Sequence, residues 1–449
     1  GEINLQGTRA RLIGDVYAPR SAVSVKSGAV FGNTNAMDVD SFTVEAGGRF
    51  DFGLGTRTAG SALTHDGIAV GHGFSNQGTV FVGAAVHPTI TGSYTQAATG
   101  TLGVGVVDST SNYGRLMVSG TATLAPGATV DVRVASGSNL SDGATIQGVV
   151  TAGTLAAAAS GLRVTDSSAL YNFVASTYRD ANQLDLIVQA DSSGITSAVP
   201  QGPAAGAAGA LQSMLNTGVP SGMQPVFAQL GSLDSAQLAS ALVQTLPAVQ
   251  GAGQQAGLNA LHSVNKVVQA RVESAKGLSS GDGAASDRYL WARAFGNRGD
   301  QNATAGAAGF KSSTNGVVFG ADAPVSDRLR AGGAMMVAKS NVTAESTVAP
   351  GHVDVDSYEA IGYASYQLDA NTDLNYQLDI GKNRATSQRY IGFAGATASG
   401  RFDSLTVHGS VGVGKSVSLS EATTLSPSLR LDYTNMRTDG YTESGAGAL

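Results

Sequence analysis

Apolar and polar residues alternate along seven stretches near the C-terminus, and the gaps between them run long, short, long, short. The stretches cover Arg288–Arg298, Thr314–Val325, Leu329–Ser340, Val353–Tyr366, Thr372–Gly381, Ser404–Leu419 and Thr424–Arg437. Side chains alternate across an extended chain, so each stretch predicts a strand with one oily and one polar face. In the fifth, Leu374, Tyr376, Leu378 and Ile380 oppose Asn375, Gln377 and Asp379. In the sixth, Leu405, Val407, Val411 and Val413 oppose Ser404, Thr406, His408 and Ser410. The connections Gly299–Ser313, Asn341–His352 and Lys382–Asp403 are roomy, while Ser326–Arg328, Gln367–Asn371 and Ser420–Thr423 are tight. A transmembrane β-barrel has this asymmetry, with short turns on its periplasmic side and longer loops outside. A soluble β-sandwich would instead bury the oily faces against a second sheet. The fourth stretch favours the barrel, because Tyr358 and Tyr366 bracket Ala360, Gly362 and Ala364 on one face. At about 3.3 Å per residue and a ~40° tilt those tyrosines stand roughly 20 Å apart in height, as two aromatic girdles would. The first stretch is mixed, since Arg293 shares a face with Tyr289, Trp291 and Phe295.

The N-terminal region has a different rhythm. Short β segments such as DSFTVEAGGRFDFG, GTVFVGAA and GRLMVSGTATLAPGATVDVRV recur between glycine- or asparagine-bearing corners. A spacing near 20 residues predicts stacked rungs of a β-solenoid, each burying its face on the next; a β-sandwich with regular turns is the other reading. From Thr145 to Val188 the pattern loosens and ends on the strand-like Gln183–Val188, as a cap would. Ser192–Gly209, rich in Gly, Ala, Ser and Pro, predicts a flexible or extended linker. Leu233, Leu238, Leu242 and Leu246 then fit a helix that Pro247 and Gly251 interrupt, and Leu258, Leu261, Val264, Val268 and Val272 follow at helical steps. A helix over Gln254–Lys276 would be about 34 Å long. It is too charged to touch lipid; it suits either a water-filled pore or an ordinary protein surface.

Composition narrows the classes. The 449 residues include no cysteine, which excludes disulfides and zinc-thiolate sites, and 60 glycines with only 13% charged residues do not suit an ordinary cytosolic enzyme. A net charge of −6 argues against nucleic-acid binding. No apolar run reaches the ~18–20 residues of a membrane-spanning helix. The opening GEINLQGTRA lacks the charged start and apolar core of a signal peptide, so the chain is expected to begin inside a larger protein. An odd number of strands and a final ESGAGAL suggest that it also stops within a barrel.

Several motifs point elsewhere. Gly409 to Ser416 matches the phosphate-loop pattern, but alternation continues past it and predicts a strand where that loop needs a helix, so no nucleotide is expected. The histidines at 65, 72, 87, 262, 352 and 408 follow no nucleophile elbow and no His-Glu-x-x-His pattern; His65, His72 and His87 lie too far apart in sequence for a compact metal site. No catalytic residue, metal or cofactor is expected, and the protein is not expected to be an enzyme. Arg298, Gly299 and Asp300 are a candidate surface-recognition tripeptide, placed at the start of the first long loop, although three common residues meet often by chance.

Three segments carry a family resemblance. GSYTQAATGTLGVGVVDSTSNYGRLMVSGTATLAPGATVDV (Gly92–Val132) resembles the end of an autotransporter passenger and its autochaperone region. Thr245–Arg271, TLPAVQGAGQQAGLNALHSVNKVVQAR, resembles the linker helix. YLWARAFGNRGDQ (Tyr289–Gln301) followed by GVVFGADAPVSDRLRAGGAMMVAKSN (Gly316–Asn341) resembles the opening strands of the translocator of type V secretion. The resemblance implies a twelve-stranded barrel, a helix in its lumen and a passenger shown at the cell surface; about seven strands are present here and the terminal aromatic residue is not. The expected fold is all-β: a right-handed β-solenoid, a helical linker and a truncated antiparallel transmembrane barrel. The expected divisions are solenoid rungs 1–91, last rungs with an autochaperone-like cap 92–191, linker 192–232, helical segment 233–286 and barrel 287–449. The implied partners are outer-membrane lipid, the barrel-assembly machinery, periplasmic chaperones and a host surface ligand. A solenoid enzyme or carbohydrate-binding module with the barrel as anchor is the alternative function.

Overall fold

The computed structural model describes residues 1–449 except 9, 13, 34–35, 54–66, 275–289, 304–307, 421–422 and 448–449. They form two compact units, one of residues 1–201 and 205–242, the other built on 243–447.

In the first unit short strands pair in parallel with the strand one turn later. Ser24 lies beside Thr43, Thr43 beside Ser75, Ser75 beside Thr95, and Thr95 beside Thr123. Each turn therefore brings the same face of the chain inward, which is how a solenoid is built. Phe42, Phe74 and Tyr94 follow one another in the interior, with ring centroids 4.7 Å and 5.6 Å apart. Burying each such ring contributes about 1.5–3 kcal/mol. Corners need polar groups inside, and amides supply them: Asn76 Nδ2 donates to the Thr101 carbonyl at 3.0 Å, and Gln96 Nε2 to the Thr129 carbonyl at 2.8 Å. In this sheet the parallel order ends at Thr145–Ala156, which pairs antiparallel with Gln183–Ala190, itself antiparallel to Tyr171–Ser176. Buried Asp185 fastens this end, accepting the Gly148 N–H at 2.7 Å and pairing with Arg179 at 3.2 Å.

The expected flexible linker is corrected by the structure. Helices occupy Gly194–Ala198, Ala205–Thr217, Gln224–Leu230 and Ser235–Gln244. Ala208, Leu211 and Leu215 are buried, and Gln212 accepts the Ile195 N–H while donating to the Asp191 carbonyl, both at 2.8 Å. Alanine is the strongest helix former, so a run poor in charge but rich in alanine folds once a few leucines give it a face to bury.

The second unit holds the expected antiparallel sheet. Its strands, in chain order and spatial order alike, are β1 (Leu290–Gln301), β2 (Gly309–Ser326), β3 (Leu329–Glu345), β4 (Gly351–Gln367), β5 (Thr372–Ile391), β6 (Ala396–Lys415) and β7 (Ser428–Thr438). Helix α1 spans Ala248–Ser274, and Gly251 lies inside it rather than breaking it. The last two residues of the expected Gln254–Lys276 helix lie outside the described residues.

The roomy loops are largely strand. Lys382–Asp403 was expected as a loop, yet β5 and β6 run through it and leave only residues 392–395 between them. Likewise β3 and β4 leave 346–350. Past the oily band the outward positions become Lys382, Arg384, Thr386 and Gln388, while Asn383, Ala385, Ser387 and Arg389 stay buried on the other face. A strand polar on both faces has no hydrophobic alternation and reads as loop, although its backbone ladder continues.

Candidate functional site

The two faces of the second unit's sheet have opposite chemistry. One exposes large apolar side chains, among them Phe319, Met335, Tyr376, Leu378 and Leu431. Tyr358 and Tyr366 both belong to this face, Tyr358 opposite Lys382 and Tyr366 opposite Leu374. The other face carries Ser312, Thr314, Ser340, Glu359, Gln377, Asp379, Thr406 and His408, all buried. Helix α1 is what covers them.

Residue size sets how the helix fits. Its first half is small: Ala252 and Ala256 pack on Val342, Val353, Val355, Ala385 and Phe402. A Cβ at Gly253 would stand 2.9 Å from the Val353 Cγ1, so glycine permits the close approach. Its second half is larger: Leu261, Val264 and Val268 pack on Val318, Met336, Ile361 and Tyr363. The helix therefore starts near the ends of β3, β4 and β5 joined by 346–350 and 392–395. It finishes near the tight β2–β3 turn.

Polar contacts fix its rotation. At mid-helix the buried Asn265 accepts from Gln377 Nε2 at 2.6 Å and lies 3.4 Å from His408 Nε2. His408 Nδ1 contacts Asp379, and its Nε2 lies 3.0 Å from Asp432 Oδ1. Near the C-terminal end Arg271 forks onto Asp322 at 2.9 and 3.1 Å. Asp322 also accepts from Arg330 Nε at 2.6 Å and from Tyr363 Oη at 2.7 Å, and Tyr363 in turn accepts from Trp291 Nε1 at 2.8 Å. A buried carboxylate held by two guanidiniums and a hydroxyl is geometrically demanding, and such groups set a unique arrangement more than they add net stability.

This arrangement explains the mixed first stretch. Trp291 and Phe295 turn toward α1 and pack on its cluster, and Asn297 Nδ2 donates to Ser263 Oγ at 2.8 Å. The face containing Arg293 is therefore the helix side of β1, not the oily side. Tyr289 and Arg288 lie outside the described residues.

The other singled-out residues are placed as follows. Arg298, Gly299 and Asp300 do not begin a loop: they lie within β1, paired with Ser313, Ser312 and Lys311. The expectation stopped β1 early because its last residues are polar on both faces. Gly409 to Lys415 is strand, and after Ser416 comes the ribbon of Val417–Ser420 with Thr423–Leu425, not a helix. His72 pairs with Asp40 at 2.6 Å and His87 Nε2 with the Tyr113 carbonyl at 3.2 Å, while His65 lies outside the described residues. Sequence reasoning missed two networks, Asp322 with Arg271 and Tyr363, and Asn265 with Gln377 and His408. Their partners lie tens of residues apart, and the signal available was a charged residue at an inward position of a strand.

Comparison with known proteins follows the same division. Residues 290–449 match the family model described as autotransporter beta-domain. The chain is 29% identical over 175 residues to Outer membrane protein B of Rickettsia prowazekii (strain Madrid E), covering 37% of this chain and 11% of that protein. It is 28% identical over 165 residues to Outer membrane protein B of Rickettsia rickettsii, covering 35% and 10%. The chain thus spans about a tenth of the length of these relatives. Among solved structures, the translocator domain of autotransporter NalP from Neisseria meningitidis aligns with a TM-score of 0.34 and 14% identity, over 42% of this chain and 64% of that one.

Proposed function

We propose that residues 290–449, which match the autotransporter beta-domain model, are a translocator domain, that α1 occupies its pore and that the solenoid is its surface-displayed passenger. The chain is an outer-membrane protein; its β-domain anchors it and displays the passenger. One observation carries the pore assignment: a helix bearing Asn265 and Arg271 is buried on the polar face of a sheet whose other face is oily. Lipid suits the oily face and rejects the polar one, so the helix face is the lumen.

On this reading residues 1–91 are passenger rungs, 92–191 the capped, autochaperone-like end, 192–232 and 233–286 the helical passage into the pore, and 287–449 the translocator. Partners are the barrel-assembly machinery and periplasmic chaperones, and the passenger's role is adhesion or host contact. Arg298–Asp300, in β1, would take part in recognition only where that strand stands clear of the membrane. The connections 346–350 and 392–395 face outward, and 327–328 and 368–371 face the periplasm. An epitope tag in 346–350 should stain intact cells and one at Asp369 should not. Staining of the Asp369 tag on intact cells would overturn the topology. A short bismaleimide should join Asn265→Cys to Gln377→Cys in membranes; failure with both cysteines folded and reactive would remove the helix from the pore.

A further inference from the structure

At the start of α1, where the chain comes onto the inner face of the sheet, Arg389 holds three pieces of the chain together. Its side chain points inward from β5 and is 9% exposed. The guanidinium forks onto Glu443, with Nη2 2.6 Å and Nε 2.9 Å from Oε2. Its Nη1 donates to the carbonyl of Gln244, just upstream of α1, at 2.6 Å. The Gln244 side chain is taken up as well, because its Oε1 accepts the Phe393 N–H from the tip between β5 and β6 at 3.2 Å. Glu443 reaches this point because the chain after β7 folds back over the sheet. Ser444 exchanges two backbone hydrogen bonds with Ser399, at 2.8 and 2.9 Å, and the Tyr441 ring packs on Phe402 with centroids 5.2 Å apart.

A buried ion pair of this kind is poor at adding stability, since two charges must leave water. It is good at selecting one geometry, because a fork accepts a carboxylate in few orientations. The elements joined here are the hairpin tip, the strap after β7 and the entering chain. On the footing of the pore reading above, we propose that Arg389 and Glu443 are a latch that closes the outer mouth of the pore around the start of α1. Broken, the latch frees the strap at 441–444 and the chain at Gln244, and small solutes pass beside the helix. Arg389 is a positioning residue: it touches no passing molecule and acts by holding Glu443 and Gln244 in place.

The test uses the full-length protein in liposomes loaded with a small fluorescent dye, with heat-dependent gel mobility to show that each variant is inserted and folded. Deleting Ala248–Ser274 should make the vesicles leak. Arg389→Ala and Glu443→Gln should each raise the leak about tenfold over the unaltered protein, and the exchanged pair, Arg389→Glu with Glu443→Arg, should recover part of it, because the ion pair returns while the Gln244 carbonyl stays without its donor. Should Arg389→Ala fail to insert, Glu443→Gln decides alone, because it removes the charge and keeps the shape. A leaky deletion variant beside tight single variants would overturn the latch and leave the pore reading standing. A tight deletion variant would overturn the pore reading, and the latch with it.

Discussion

The solenoid and the β-domain use the same alternating strand and turn it in opposite directions. In the solenoid Phe74 and Val44 go inside and Ser75 and Thr43 face water. In the β-domain Leu378 and Ile380 face outward and Gln377 and Asp379 are buried. What differs is the company of the inner face. Parallel rungs stack aromatic on aromatic, so their interior is filled by the strands themselves. The β-domain's inner face is filled by α1, whose small first half packs on Val342, Val353 and Val355 and whose Asn265 meets Gln377 and His408. Alternation therefore identifies a strand but not its inside; the neighbour that covers each face decides that.

Truncation inside the rungs should break this contrast most strongly. Phe74→Ala removes a ring stacked between Phe42 and Tyr94 and should cost about 3–5 kcal/mol. Urea unfolding followed by a solenoid-specific probe would show it, whereas Leu378→Ala on the lipid side should leave the β-domain's unfolding midpoint in detergent nearly unmoved. Asp322→Ala comes next. It leaves the half-buried Arg271 and Arg330 without their carboxylate, a loss of about 3 kcal/mol, read as a lowered unfolding temperature of the β-domain alone. A third variant pair sharpens the comparison by reversing it. Leu378→Arg should cost about 2–4 kcal/mol on insertion into a bilayer, while Ser75→Arg on the solenoid exterior should change stability by less than about 0.5 kcal/mol. Equal costs would mean that the two outer faces meet the same solvent.

The smallest effect concerns pH and belongs to the solenoid alone. The Asp108 carboxyl is held down at about 2 because the Asn112 N–H, then the Ser111 and Thr110 N–H groups, point at its charged form. A depressed folded value contributes stability above the unfolded carboxylate range near 3.9, and that contribution fades as pH falls through about 2. Amide exchange at Thr110–Asn112 should quicken between those limits in the wild type, and Asp108→Ala should show the fast rate throughout.

The sequence made strand number, pairing order and the helix legible, because each rests on a local period. It hid two things. Strand length was one, since Asn383–Arg389 is polar on both faces save for Ala385 and carries no hydrophobic alternation. Assembly was the other: Asp322 meets Arg271, Arg330, Tyr363 and, through it, Trp291 only after five segments come together. The helices from Gly194 to Leu230 were misjudged because composition was weighed before the spacing of Leu211 and Leu215.

The length of β5 and β6 bears on which side chains a binding reagent would meet together. The region 382–403 is a stiff ladder in which Thr386, opposite Arg401, and Gln388, opposite Ser399, display every second side chain on one flat surface while their neighbours are hidden. Antibodies raised against a free peptide of this stretch would bind side chains that the folded hairpin never shows together. An antibody selected on the folded hairpin should therefore lose this region on denaturing blots.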